Sequence, residues 1–121
     1  MGIEIGTTLT VGFNASSYRS LKIILNDSNA LLFFNDTERS AQVKKDVEII
    51  NRDIMLTILK NHGYDHDRDA FIEIDFSAEG IAKLDCLLQN YEMHFPFFVE
   101  ESIRTQRVNL VYRDLHKAGY R

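Results

Sequence analysis

The run Asp65-His66-Asp67-Arg68-Asp69 is the densest set of candidate ligands in this 121-residue chain. Carboxylates at alternate positions are what a calcium loop supplies in its first half. Such a loop then needs Gly at its sixth position for the turn and Glu at its twelfth as bidentate ligand. Those places hold Ala70 and Phe76, so Asp65, Asp67 and Asp69 read as a solvated acidic turn rather than metal ligands. His62 and His66, four apart, would suit a zinc pair on a helix, but Gly63 between them weakens that geometry. The expectation is no metal and no cofactor.

Glu73 and Asp75 lie two apart in an alternating segment and therefore share one strand face. Paired carboxylates can divide acid and base roles when their environments separate their pKa values. With His62 and His66 as the first partners to seek, they define the alternative reading, a small hydrolase or nucleotide-binding protein using the acidic segment around residues 62–75. Ser77 stands at a strand-to-helix junction, where a capping role accounts for it. Gly2, Gly6 and Gly12 lie within or beside an alternating strand and do not form a phosphate loop. Cys86, the one cysteine, sits between Leu84 and Leu87-Leu88 and reads as a buried, inert thiol.

Charge is uneven along the chain. Residues 1–60 balance to zero, residues 61–100 carry nine acids against Arg68 and Lys83, and residues 101–121 carry five bases against Glu101 and Asp114. Arg104, Arg107, Arg113 and Lys117, interleaved with Tyr112, resemble a phosphate-gripping set. The formal net charge of −4 opposes attraction to a polyanion. Nucleic acid is therefore not the expected partner; this protein's own acidic region, or an acidic protein partner, is.

The elements that would position these residues follow from periodicity. Ile3, Ile5, Leu9, Val11 and Phe13 alternate with polar residues as a strand. Residues 18–25 read as a second strand through Leu21, Ile23 and Leu25, closed by a turn at Asn26–Asn29. Residues 30–34 read as a third, apolar on both faces. Val43, Val47, Ile50, Ile54 and Ile58 form a helical stripe. Residues 70–75 alternate again and lead into Phe76-Ser77-Ala78-Glu79, where Ser77 caps a helix with the stripe Ile81, Leu84, Leu87, Leu88 and Tyr91. Residues 101–118 fit a helix better than a strand.

These elements predict one α+β domain over residues 1–121. It has a small antiparallel sheet in the order β-β-β-α-β-α, helices packed on one face, and a C-terminal helix or strand. No internal repeat is read from the sequence. Leu32, Phe34, Phe95, Phe97 and Phe98 are the candidate apolar contacts, joined by the four tail bases named above. The chain is thus expected to be a small cytoplasmic, non-catalytic interaction protein, regulatory or inhibitory, that forms a homodimer and binds a protein partner without a membrane. Because the calcium-loop pattern is broken, prolonged chelation is expected to leave the thermal midpoint unchanged. A loss restored by calcium or zinc would contradict that reading of residues 65–69.

Overall fold

The computed structural model describes residues 8–30, 37–60, 71–93 and 99–120. Along the chain run β1 (Thr8–Asn14), α1 (Ala15–Ala30), α2 (Thr37–Lys60), β2 (Phe71–Ser77), α3 (Ala78–Met93) and α4 (Glu101–Lys117). The class is α+β, predominantly helical, and the two strands pair antiparallel across the intervening helices.

The expected three-strand order is corrected here. Residues 18–25 are helical, and so is the expected turn at Asn26–Asn29; both belong to α1. Alternation of Leu21, Ile23 and Leu25 suggested a strand, yet the residues that go inside are Ser17, Ser20, Leu21, Ile24, Leu25 and Ser28. Their spacing of three and four is helical. Three buried serines dilute that stripe, which is why an apolar count misses it. The expected third strand at 30–34 has Ala30 at the end of α1, while 31–34 lie outside the described residues. The stripe from Val43 to Ile58 lies on one continuous helix, and residues 101–117 are helix.

Local chemistry starts both βα units in the same way. Asn14 Oδ1 accepts the backbone N–H of Ser17 at 2.9 Å, and Ser77 Oγ accepts that of Gly80 at 3.0 Å. Each bond satisfies a donor that the first helical turn cannot pair internally. Phe13 and Phe76 precede the caps, both fully buried, their rings edge-on with centroids 6.3 Å apart.

That parallel is general, and it reveals a repeat that the sequence reading did not find. Leu9-Thr10-Val11-Gly12-Phe13-Asn14-Ala15 matches Ile72-Glu73-Ile74-Asp75-Phe76-Ser77-Ala78. In the helices that follow, buried Leu21, Ile24 and Leu25 match Leu84, Leu87 and Leu88. In the second helices Val43, Val47, Ile50, Asp53 and Ile54 match Arg104, Val108, Val111, Asp114 and Leu115. Val11 stands opposite Ile74, its own counterpart, so a pseudo-twofold axis passes between them. The halves are intertwined: α2 packs on α3 of the other half, and α4 packs on α1. One core, with Val11, Ile74 and Tyr91 fully buried, serves both.

The crossing is sealed by a buried carboxylate. Asp53 of α2, 5% exposed, accepts both the backbone N–H of Ser77 at 3.0 Å and its hydroxyl at 2.9 Å. Thr57, one turn on, accepts the backbone N–H of Asp75 at 3.1 Å. Two N–H groups of β2, those of Asp75 and Ser77, are thus satisfied by α2 side chains. Gly80 leaves the room: a Cβ there would overlap Asp53 Oδ2 and lie 3.0 Å from its Cγ. In the other half Ser17 takes the place of Gly80, and its hydroxyl donates directly to Asp114.

Gly→Ala inside a helix ordinarily stabilises by about 1 kcal/mol. Gly80→Ala is expected to do the reverse, costing roughly 1–3 kcal/mol through overpacking. In an Asp53→Ala background the same change is expected to be neutral or favourable. Denaturant unfolding of the double-mutant cycle checks this, and equal effects in both backgrounds would contradict the packing.

Candidate functional site

The outer face of the two-stranded ribbon carries Thr10, Glu73 and Asp75, while Val11, Phe13, Ile72, Ile74 and Phe76 point into the core. Glu73 and Asp75 do share a strand face, as alternation predicted. They line different clefts, however. Asp75 lines one of about 300 Å³ with Asp53, Leu56, Thr57 and Lys60; it accepts the Thr10 hydroxyl at 2.7 Å and lies 3.8 Å from Lys60 Nζ. Glu73 lines the other, about 270 Å³, with Gly12, Asn14, Asp114 and Lys117. These clefts are related by the pseudo-twofold axis. The structure therefore does not bring Glu73 and Asp75 into one cleft. His62, His66, Asp65, Asp67 and Asp69 lie outside the described residues, as do Leu32, Phe34, Phe95, Phe97 and Phe98. Among the described residues no group of three or more His, Cys, Asp or Glu could hold a metal ion.

Most of the tail bases are engaged internally. Arg104, 9% exposed, donates to the carbonyls of Glu92 and Val99 and so closes the approach to α4. Arg107 donates to the Tyr91 hydroxyl at 2.7 Å and reaches Asp27 at 3.4 Å. Arg113 sits 3.7 Å from Asp114, and Lys117 lines the smaller cleft. Cys86 is exposed, which corrects the expected buried thiol. At 100° per residue it falls off the stripe of Leu84, Leu87, Leu88 and Tyr91.

A second polar cluster ties the end of the chain to α3. Tyr112 and Tyr120 both donate to the Asp85 carboxylate at 2.5 Å, and His116 Nδ1 lies 2.8 Å from the Tyr120 carbonyl. Burial acts to raise the Asp85 carboxyl, but hydrogen bonds from Tyr112, Tyr120 and Gln89 outweigh it, leaving it below its ordinary range. The Asp85 bond, followed by desolvation, pushes the Tyr120 phenol up to about 12. Burial, followed by the Asp85 bond, raises Tyr112 as well.

Among the described residues the exposed large apolar side chains are Ile103 on α4, at 38%, and a group of three on α2. Its inner stripe of Val43, Val47, Ile50 and Ile54 is buried as expected. Met55, Leu56 and Leu59 point the other way, at 56, 56 and 64% exposure. The pseudo-equivalent positions on and after α4 are His116, Lys117 and Tyr120, so the architecture does not require apolar residues there. Eleven residues make almost three helical turns. Lys44 therefore lies within about 20° of Met55 around the helix, and Lys45 within about 20° of Leu56. The exposed ribbon runs from Lys44 and Lys45 past Glu48 and Arg52 to the apolar ridge and Lys60. Arg52 reaches Glu79 at 3.5 Å, whereas Lys44 and Lys45 form no ion pair among the described residues.

The ridge escaped the sequence reading because Ile54-Met55-Leu56-Thr57-Ile58-Leu59 is apolar almost all round. Only the packing of α3 and β2 decides which side stays uncovered. Asp53 and Asp114 were missed too, although the repeated phrases containing them were visible. No helix among the described residues is long and apolar enough to cross a membrane. No protein-family model matches the chain, and no curated protein or solved structure matches it either.

A phenol whose folded pKa exceeds its unfolded value contributes stability that is complete below pH 10. That contribution is lost as pH rises towards 12. Tyr120, and Tyr91, which burial and its bond to Asp27 also push up to about 12, behave in this way. Tyr120→Phe is expected to lower stability at pH 8 but to make its decline between pH 10 and 12 shallower. Unfolding midpoints across that window measure it; an unchanged slope would contradict the latch.

Proposed function

We propose that this chain is a non-catalytic protein-interaction module that engages a protein partner through the exposed ridge of α2. The observation that carries the reading is the exposure of Met55, Leu56 and Leu59 on successive turns of a helix whose opposite side is already packed. Burying one such side chain fully is worth about 1.5–3 kcal/mol. Leaving three in water on a rigid helix is a standing free-energy source for association. The scaffold suits that role. Asp53 and Thr57 anchor the same helical segment to β2 from the inside, so the ridge is presented without prior ordering, which lowers the entropic cost of docking.

The division of labour along α2 supports the same reading. Residues on one side build the intertwined core, while those on the other add nothing to it. Glu73 and Asp75, the residues that favoured an enzyme, occupy separate clefts, and Asp75 is engaged by the Thr10 hydroxyl and Lys60 rather than by Glu73.

A photo-crosslinking amino acid placed at Leu59 tests the proposal in extracts of the native host. One discrete adduct is expected from position 59 and none from Gln89, an exposed position on α3. The same adduct pattern from both positions would contradict it.

A further inference from the structure

We infer that the occupant of the α2 face is an acidic amphipathic helix of another protein, rather than a second copy of this chain. The inference rests on the docking reading above and adds the chemistry of the partner. The face has two parts at fixed separation. Met55, Leu56 and Leu59 make an apolar patch within just over one turn, and Lys44 and Lys45 lie eleven residues earlier on the same side, about 16 Å away along the axis. Arg52 lies between them, and Lys60 follows the ridge. Glu48 is the one acidic side chain of α2 along that exposed ribbon, against four cations, of which Arg52 and Lys60 already meet Glu79 and Asp75 and Lys44 and Lys45 do not. A ligand matching this surface carries apolar side chains at helical spacing at one end and carboxylates two to three turns away. That pattern is how an amphipathic helix presents itself to a groove.

The groove is present beside the ridge. The cleft of about 300 Å³ against β2 is walled by Leu56 on the ridge side and by Thr57, Lys60, Asp53 and Asp75 further in. The partner's apolar side chains cover Met55, Leu56 and Leu59 at the rim of that cleft, while its carboxylates meet Lys44 and Lys45, which have no ion pair among the described residues.

Two observations disfavour a second copy. Three side chains at 56–64% exposure amount to about 300 Å² of apolar surface. A standard interface needs about 800 Å² from each partner. Charge points the same way. A symmetric antiparallel α2–α2 contact centred on Leu56 sets Arg52 of one copy opposite Lys60 of the other, cation against cation.

The test is selection of binders to the full chain from a displayed library of amphipathic helical peptides, with acidic, basic and neutral flanks equally represented. Selected peptides are then measured by fluorescence anisotropy. Acid-flanked sequences are expected to dominate. Binding is expected to weaken at least tenfold with Lys44→Glu/Lys45→Glu and to disappear with Met55→Gln/Leu56→Gln/Leu59→Gln, both variants being checked for native helicity. Ridge-dependent binders without acidic enrichment would overturn the inference while leaving the docking reading intact. Binders indifferent to the ridge would overturn both. A concentration-dependent dimer of the chain alone, abolished by the triple Gln variant, would identify the second copy as occupant and overturn the inference.

Discussion

The Asp53 carboxylate is the point on which the architecture turns. It leaves α2, crosses to the other half of the chain and lies over Gly80 at the start of α3, where the Ser77 N–H and hydroxyl satisfy it. A buried carboxylate without such donors would cost several kcal/mol, so the contact specifies one placement of α2 against β2 and α3. Asp114 makes the related crossing towards α1 through Ser17. Together these two acids explain how, among the described residues, two strands hold four helices. Each half closes the other, and the pairing of Val11 with Ile74 places both crossings about one axis.

From that constraint the uncovered surface follows. Fixing Asp53 and Thr57 towards β2 fixes the rotation of α2 about its own axis. Met55, Leu56 and Leu59 must then face away from the core, at 100° per residue. Nothing comparable happens on α4, where His116, Lys117 and Tyr120 occupy the corresponding positions and Tyr120 is drawn back to Asp85. The halves have diverged: one keeps a polar, latched end, and the other presents an apolar ridge with a basic approach. That asymmetry within a symmetric frame supports the docking role proposed for the ridge.

Parts of this were legible in the sequence. Alternation in residues 9–13 and 71–76 placed the right residues inside, and Phe76-Ser77-Ala78-Glu79 announced a capped helix correctly. The same physics at Phe13-Asn14-Ala15-Ser16 is harder to read, because asparagine suits turns as well as caps. Recognising the two phrases as one repeated phrase would have converted residues 18–25 from strand to helix. The stripe of α1 was obscured by Ser17, Ser20 and Ser28, which are buried without being apolar. The ridge was illegible for the opposite reason: Ile54 to Leu59 is apolar on every side, and only tertiary packing separates core from surface. The basic tail looked like an interaction surface because sequence cannot show that Arg104 and Arg107 spend their donors on carbonyls, Tyr91 and Asp27.

An α2 ridge that serves docking is surplus to folding. Met55, Leu56 and Leu59 replaced together by Gln remove the apolar groups while keeping nearly the same helix propensity. Equilibrium denaturant unfolding of that variant is the most direct measurement. Surface changes of this kind leave stability within about 0.5 kcal/mol, and that is the predicted result, with an unchanged denaturant slope. A loss of about 3 kcal/mol or more would show that these side chains are buried when the chain folds. It would contradict the free docking face on which the functional reading depends.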